Sequence, residues 1–446
     1  MHDITRFGAI GDGVTDCTHA IQNALRHASA ANPVVHVPAG GVFLTRPVLL
    51  PSGVTLQVDG TLRGATGGLA LSLWPTLPPL PTYGRDRDGA KPRRYRALLL
   101  ALDAHDVVLR GGGVIDGAGP WWWERRRTLR FGRPHLVEFY NSSHVEVHGV
   151  TLRDSPFWTL HPVYCTHVHV HHIAIRAPLY APNTDGIDPD SSRHVLIEHN
   201  DVSCGDDHVA IKSGMNGLAR AAFPRLAAEN VTVRHNVFRA GMGVSVGSET
   251  SGGVRDVHVH HNLILGHGWS VALHVKSAPQ RGTLVERVSF RHNVVRNTSA
   301  FMRLATFGSG AAPTAYEPTR VRELEWRNNT YEGPSDRRVR SKFICPSVEG
   351  RCRGIRVVDN RVVASKGKWQ CVQIATFEAS GNQPAGLPEC MRRSGGGGGG
   401  GGSAGRATKR RARGRKKKRS HAPRRRKVRK FDWRTQSDAL VDEAAA

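Results

Sequence analysis

The chain has 446 residues, which suits either two or three average domains or one long repetitive domain. Hydrophobic residues make up 39%, enough for a large core, and no stretch approaches the roughly 20 apolar residues of a membrane-spanning helix. The formal net charge is +26. Residues 391–446 hold 19 Lys/Arg and 4 Asp/Glu, a net +15, which leaves 26 − 15 = +11 for residues 1–390. Both parts favour an anionic partner, whether nucleic acid, anionic membrane or acidic polysaccharide.

The N-terminal segment predicts a helix and shows no secretory signal. "MHDITRFGAIGDG" lacks a basic start and an apolar stretch, so we expect an intracellular protein or a true start upstream. The helix is predicted over residues 16–29, with Asp16 or Thr18 as its N-cap. Its apolar face consists of Ala20, Ile21, Leu25 and Ala28.

The middle of the chain repeats one short strand pattern. Eight segments, which begin 23 to 36 residues apart, alternate apolar and variable residues; the first two begin at Val145 and Val168. Alternation with period two predicts a strand with one buried face, and this repeat length predicts stacked coils. The last six segments carry an asparagine at the sixth position: Asn200, Asn236, Asn262, Asn293, Asn329 and Asn360. Asparagine tolerates a left-handed backbone, so we expect turn residues whose side chains form a ladder.

A single-stranded parallel β-helix accounts for this repeat. Leucine-rich repeats lack their leucine signature here, and the period is too short for the blades of a propeller. The ends of such a stack are open sheet edges that need covers. We expect the helix over residues 16–29 at one end and the cysteine-rich stretch 345–390 at the other.

Seven cysteines divide into two groups. The last four fall within 46 residues, close enough for two disulfides: Cys345, Cys352, Cys371 and Cys390. The scattered Cys17, Cys165 and Cys204 are expected to be buried thiols. The chain has no CxxC motif, which argues against zinc, and the clustered pairs favour an oxidising compartment.

The composition changes near residue 393. Eight consecutive glycines, Gly395 to Gly402, precede "KRRARGRKKKRS" and "PRRRKVRK". Such sequence cannot bury a core. We predict a β-helix domain over residues 1–392 and a disordered basic tail over 393–446. The tail is either a polyanion-binding or nuclear-import segment, or merely solvated.

Two segments concentrate carboxylates. "NTDGIDPDSS" contains Asp185, and "CGDDHVAIKSG" contains Asp206 and Asp207, 21 residues after Asp185. Neighbouring coils stack about 4.8 Å apart, so these side chains become spatial neighbours. Such a group can bind calcium, perform acid/base hydrolysis of a polymer, or simply mark turns. Two such segments one coil apart favour catalysis, because mutual repulsion raises the pKa of the acid.

Several ordered motifs resemble glycoside hydrolase family 28, the polygalacturonases and their relatives. These are "NTDGIDPDSS", "GDDHVAIKSG", "GVSVGSETSGGV" and "LHVKSAPQRG", with support from "FGAIGDGVTDCTHAIQ", "GGGVIDGAGPWWW" and "SPFWTLHPVYC". The resemblance covers roughly residues 3–390. It implies an all-β, right-handed, pectin-lyase-like parallel β-helix that hydrolyses α-1,4-linked galacturonan with inversion.

The resemblance also implies roles for individual residues. Asp206 matches the general acid, and Asp185 and Asp207 match the pair that holds and activates water. Asn183 precedes the first of these aspartates. Lys276 lies in the basic motif that binds the substrate carboxylate, a task that suits a point cation. The carboxyls are only one coil apart, and a short distance between the two catalytic carboxyls is typical of hydrolases that retain the anomeric configuration. The family resemblance implies inversion instead, and we adopt inversion.

The chain departs from the family pattern at two positions. Met242 stands where the family usually has His, and His274 where it usually has Arg. A neutral His274 donates one hydrogen bond against several from Arg. We therefore expect lower activity or a changed sugar at one subsite. His161 is shared with the family motif and is a candidate substrate contact. "GSETSGGV" with Glu249 is most similar to bacterial and plant members, several of them exo-acting, so exo action stands beside endo action.

Other features have simpler interpretations. The run "HVHVHH" (residues 167–172) is expected to be a solvated strand face rather than a metal site. The Trp121–Trp123 run belongs to the core or to the groove wall. We expect a monomer with an acidic polysaccharide as partner, neither cofactor nor metal, and no membrane span. The family implies an extracellular or cell-wall location.

Three rival functions remain. A rhamnogalacturonan or substituted-galacturonan hydrolase would explain Met242 and His274. A non-catalytic β-helix would bind polyanions with steep salt dependence and release no reducing ends. A calcium-dependent pectate lyase would use the carboxylates as calcium ligands, but the ordered motifs argue against it.

Overall fold

A computed structural model describes residues 1–84, 91–267, 270–278, 281–306, 318–334, 339–345, 351–363, 367–372 and 374–385. These residues form a stack of coils whose strands pair in parallel with the strands of the next coil in three long sheets. Valines and other apolar side chains of alternating strand positions fill the interior. The predicted right-handed parallel β-helix is confirmed. The predicted tail and Cys390 lie outside the described residues.

The first sheet contains 13 strands and runs the length of the stack. Its strands alternate buried and partly exposed residues, so one face packs on the core and the other faces outward. The strands are His2–Asp3, Val34–Val37, Thr55–Val58, His105–Arg110, Ser143–His148, Thr166–His171, Arg193–Glu198, Ala228–Arg234, Val254–His260, Leu284–Arg291, Arg320–Arg327, Cys352–Val358 and Phe377–Ser380.

The second sheet contains 12 shorter strands. All but the first follow a strand of the first sheet after a short turn. They are Asp12–Asp16, Val42–Thr45, Thr61–Gly64, Val114–Asp116, Thr151–Arg153, Ala174–Arg176, Asp201–Ser203, Val237–Phe238, Leu263–Leu265, Val294–Arg296, Thr330–Glu332 and Arg361–Val363.

The third sheet, called the groove sheet below, has two parts joined through residues 187–190. Ile187 forms a parallel bridge with Leu160 on one side and with Val209 on the other. The first part consists of Val48–Leu50, Leu99–Leu102, Val137–Tyr140 and Leu160–Val163. The second consists of Val209–Ile211, Val244–Val246, Val271–Lys276, Ala300–Ala305, Val339–Ile344 and Gly367–Val372. Thr76–Leu77 and Arg94–Tyr95 form a separate antiparallel ribbon.

The predicted asparagine ladder lies between the first and second sheets. Asn236 Oδ1 accepts hydrogen bonds from the backbone N–H and from Nδ2 of Asn200, both at 2.9 Å. The same pair of bonds recurs from coil to coil and ends at Asn382, which the sequence analysis missed. We expected the asparagine to have the left-handed backbone. In the structure the residue before it does, such as His199 (φ 55°). This turn leaves the asparagine free to point inward, where the ladder satisfies its amide.

A helix covers the N-terminal end of the stack, whereas the described residues of the predicted C-terminal cover contribute strands to the last coils. The N-terminal helix spans Thr18–His27, and its buried residues are Ala20, Ile21, Ala24 and Leu25. Ala28 was wrongly placed in the helix: it is the C-cap, in extended conformation. Asp16 Oδ1 accepts the Thr18 N–H at 2.9 Å, although Cys17 occupies the N-cap position. Near the other end, Cys345 and Cys352 form a disulfide, and Cys371 is also disulfide-bonded. As predicted, the three free cysteines are buried: Cys17, Cys165 and Cys204.

The remaining helices are short. They are the 3-10 helix Ile4–Phe7 and the α-helices Gly68–Ser72, Gly119–Arg125 and Gly217–Ala221. Of the tryptophan run, Trp122 is fully buried and packs edge-on against Trp74, with ring centroids 5.1 Å apart, which supports the core interpretation. Among the described residues, no helix is long and apolar enough to cross a membrane.

Candidate active site

Three carboxylates meet at the joint of the groove sheet. Asp185 precedes the bridging residues 187–190, and Asp206 and Asp207 precede strand Val209–Ile211 one coil later. One oxygen of each carboxylate lies within 4.8 Å of an oxygen of the other two. Asp185 and Asp207 are only 4% and 3% exposed, whereas Asp206 is more exposed. Asp206 is therefore the carboxyl best placed to meet a bound ligand.

The environment of Asp206 favours its protonated form. Burial, followed by the charges of Asp185 and Asp207, raises the pKa of Asp206 from 3.8 to about 8. Lys276 and Lys212 oppose this shift without cancelling it. A carboxyl with such a pKa is protonated at neutral pH and can donate its proton.

The turn that carries Asp206 is fixed by backbone contacts. The carbonyl of Asp206 accepts the Met242 N–H at 2.7 Å, and the Asp207 N–H donates to Asp206 Oδ1 at 3.0 Å. Gly205 is required just before it, because a Cβ there would lie 2.0 Å from the carbonyl oxygen of Ala181. Met242 thus supports the acid through its backbone.

Lys212 is a buried counter-ion that the sequence analysis missed. Its Nζ lies 3.2 Å from Asp185, 3.2 Å from Asp188 and 3.6 Å from Glu249. Burial opposes its charge, but these carboxylates raise its pKa well above the usual value, so Lys212 stays charged. Burial also raises the pKa of Asp185 and, together with the charge of Asp185, that of Asp188. The sequence did contain a signal for this lysine, because it stands close to several acidic residues in "CGDDHVAIKSG".

Asp207 is held by two neighbouring coils. Ser245 Oγ donates to Asp207 Oδ1 at 2.8 Å, and Lys276 Nζ donates to Asp207 Oδ2 at 2.5 Å. The Lys276 side chain is 27% exposed, whereas that of Asp207 is 4% exposed. Lys276 therefore connects the carboxylates with the open part of the groove.

The groove sheet continues beyond Lys276 with further cations. Ser245, His274, Arg303 and Lys342 occupy equivalent positions on four consecutive strands. Burial, with the charges of Lys276 and Arg303, holds the pKa of His274 well below its usual value, so His274 is neutral. Within the described part of the chain, Arg303 makes no ion pair with a carboxylate and is partly exposed. Arg303 is thus available to an anionic ligand.

The opposite direction along the groove is closed. Segment 77–83 packs into an apolar cluster on the outside of the groove sheet. Its members from this segment are Leu77, Leu80 and Tyr83, and the others are Leu100, Tyr140, Phe157, Trp158 and Val163. Tyr83 Oη donates to Asp190 Oδ2 at 2.5 Å, and Thr82 Oγ1 lies 2.6 Å from Tyr164 Oη. Segment 77–83 therefore occupies the part of the groove on the N-terminal side of the carboxylates.

Two further predicted site residues lie under or beside this cover. His161 is fully buried, stacks on His135 at 4.5 Å between ring centroids, and lies 3.6 Å from Asp190. It can influence the site through Asp190 and Trp158 but has no exposed surface for a sugar. Asn183 has a left-handed backbone (φ 57°), and its Oδ1 accepts a hydrogen bond from Arg133 at 3.0 Å.

Comparisons with known proteins agree with this arrangement. The family model for glycosyl hydrolases family 28 matches residues 29–381. A probable polygalacturonase of Vitis vinifera is 31% identical over 385 residues, 82% of this chain and 76% of that protein. An endo-polygalacturonase of Pectobacterium carotovorum subsp. carotovorum is 30% identical over 63% of this chain and 70% of its own length.

A solved structure shares the architecture and part of the sequence. The hyperthermoactive exopolygalacturonase from Thermotoga maritima superposes with a TM-score of 0.68 and 27% identity, covering 84% of this chain and 91% of that one. A family match over most of the β-helix, with the carboxylates gathered in its groove, makes this chain a member of glycosyl hydrolases family 28.

Proposed function

We propose that this protein hydrolyses α-1,4-linked galacturonan from a chain end, by acid/base catalysis with Asp206, Asp185 and Asp207. The raised pKa of Asp206 beside two further carboxylates carries the proposal. A probable polygalacturonase of Vitis vinifera and an endo-polygalacturonase of Pectobacterium carotovorum subsp. carotovorum are among the relatives. Membership of a hydrolase family removes the calcium-dependent lyase from the alternatives.

Each carboxylate has a separate role. Asp206 donates its proton to the glycosidic oxygen as the bond breaks. Asp185 and Asp207 hold a water between them and accept its proton as it attacks the anomeric carbon. Their oxygens lie closer to Asp206 than the separation rule expects of an inverting enzyme. Lys212 lies 3.2 Å from Asp185 and Lys276 lies 2.5 Å from Asp207. We infer that the two carboxylates, held in this way, position a water rather than attack the sugar, which favours inversion.

Lys276 and Arg303 recognise the galacturonate carboxylates. His274 is neutral and offers one hydrogen bond at the position where the family resemblance implies an arginine. Arg303 stands beside it on the next strand and has no carboxylate partner in the described structure. We infer that Arg303 supplies the bidentate contact that His274 cannot make.

The closed groove favours exo action. A polymer bound across the carboxylates would have to pass through the space that Tyr83 and Leu80 fill. A chain end fits without this conflict, and the Thermotoga maritima relative is named an exopolygalacturonase. The disulfide between Cys345 and Cys352 supports action outside the cell, where pectin occurs.

The test is the release of reducing ends from polygalacturonate. We expect wild-type activity and a loss of roughly 100- to 10,000-fold in Asp206→Asn, as for other general acids. Asp201→Asn is the matched control, since Asp201 lies five residues away and pairs with Arg239 on the outside. The proposal fails if Asp206→Asn retains full activity.

Met242 and His274 favour one alternative substrate, rhamnogalacturonan or a substituted galacturonan. The same assay run in parallel on rhamnogalacturonan distinguishes the two. Faster release from rhamnogalacturonan would keep the mechanism and replace the substrate.

A further inference from the structure

A histidine motif occurs twice on the outward face of the first sheet. His169 and His171 alternate with the buried Val170, and His172 follows them. His258 and His260 repeat this arrangement three coils later, followed by His261. The two motifs share sequence and sheet position, so their neighbours alone distinguish them.

The first motif is flanked by carboxylates. Glu146 is in register with His169 on one side, and Glu198 with His171 on the other. His171 Nε2 lies 3.0 Å from Glu146 Oε1, and His169 Nε2 lies 3.0 Å from Glu198 Oε1. The two imidazole centroids are 4.2 Å apart. Glu146, His169 and His171 thus direct ligand atoms to one place, and Glu198 on the next coil contacts His169.

The second motif is flanked by cations. Arg234 and Arg291 are in register with His260, and His258 Nδ1 lies 2.9 Å from Ser289 Oγ. A metal ion at this second position would be repelled by two guanidinium groups, and the carboxylate on the same strand, Asp256, is paired with Arg287. The chain therefore contains its own control.

The first cluster has the composition and size of a zinc site. Glu146, His169 and His171 each offer one ligand atom, and these atoms lie within 4.8 Å of one another. Bond lengths near 2.0–2.2 Å place tetrahedral ligands about 3.5 Å apart, so small side-chain rotations suffice. Imidazole and carboxylate together suit Zn²⁺ and similar transition metals better than Ca²⁺.

The surrounding groups orient these ligands. Arg234 Nε donates to Glu198 Oε2 at 2.6 Å, which leaves Oε1 directed at His169. His171 Nδ1 lies 2.9 Å from His172 Nδ1, so Nε2 is the nitrogen that faces Glu146. Such supporting contacts fix ring orientation in metal sites.

We propose that Glu146, His169 and His171 form a Zn²⁺ site on the outside of the β-helix, independent of the active site, and that Glu198 orients His169. The ion links strands Ser143–His148 and Thr166–His171. Because it binds the folded chain, it stabilises these coils. The sequence predicts a solvated face here, and the proposed ion would bind on that face.

Titration of the full metal-free chain with ZnCl₂ by calorimetry tests the site. We expect one strong site per chain, a higher melting temperature with Zn²⁺, and no competition from CaCl₂. His169→Ala/His171→Ala should lose this site, and the matched His258→Ala/His260→Ala should retain it. Glu146→Gln keeps the shape and should weaken binding by at least about tenfold. Equal Zn²⁺ binding by the two double variants, or no strong site in the wild type, overturns the proposal.

Activity on polygalacturonate separates this proposal from the function of the groove. The His169→Ala/His171→Ala variant should cleave as the wild type does. A folded double variant with normal activity and no zinc site is the expected result. Wild-type protein that binds zinc but does not cleave polygalacturonate would contradict only the proposed function.

Discussion

Lys276 Nζ lies 2.5 Å from Asp207 Oδ2, although 69 residues separate the two along the chain. Stacked coils create this contact, and in the proposed mechanism it joins the water-activating pair to the side chain that binds the substrate. We therefore propose two tasks for Lys276, to hold Asp207 through an ion pair and to bind galacturonate.

We predict that Lys276→Ala raises KM for polygalacturonate by roughly ten- to a hundredfold, the value of one charge-assisted contact. The same change should raise KM far less for the methyl ester, which has no carboxylate. Steady-state kinetics on both substrates measures the difference. Equal losses on both would show that Lys276 does not face the sugar carboxylate.

Arg303→Ala should also raise KM, while kcat changes less, because Arg303 lies one strand beyond Lys276. Arg303→Lys keeps the charge but loses the planar pair of donors, so we expect partial recovery. Comparing the two variants distinguishes charge from geometry. Unchanged KM in both would remove Arg303 from the substrate site.

The pH profile should reflect Asp206. Its pKa of about 8 means that the acid form is lost as pH rises through 8, so activity should fall on the alkaline side. Lys276 lowers this pKa. Lys276→Gln should therefore move the alkaline limb of the kcat/KM profile to higher pH. A move of this limb to lower pH would contradict the effect assigned to Lys276.

Asp206→Asn should make the protein more stable while inactivating it. The folded pKa of Asp206 lies above the unfolded value of 3.8, so the native state is destabilised relative to the unfolded state as pH rises from about 4 to 8. Removing the charge removes this cost, and the gain in melting temperature should grow across that range. Asp201→Asn, which loses an ion pair with Arg239, should show no such gain. A melting temperature that falls equally in both variants would contradict the prediction.

Local pattern was sufficient to predict the coils. The alternation within a strand and the asparagine at its sixth position can each be recognised from a few neighbouring residues. These two features were enough to predict the ladder as far as Asn360. Asn382 fits the same rule after Phe377 and could have been found. The turn conformation at His199 was not predictable from the asparagine rule, because the ladder itself requires Asn200 to face inward.

The site was predictable only in part. Asp185, Asp206 and Asp207 lie in two adjacent motifs, so one coil of stacking brings them together. Other features depend on tertiary register. Coil lengths vary from 23 to 36 residues, so nothing in the sequence aligned Arg303 with His274. The cover formed by segment 77–83 has no repeat pattern, and its contacts with Tyr164 and Asp190 span more than 80 residues.

The most direct test of the account is a proton NMR time course of trigalacturonate cleavage by wild type and Asp206→Asn. We predict that the wild type releases galacturonate from a chain end, that the new reducing end appears first as the β anomer, and that Asp206→Asn is nearly silent. An α anomer formed first would contradict inversion, and cleavage by Asp206→Asn at the wild-type rate would contradict the central assignment.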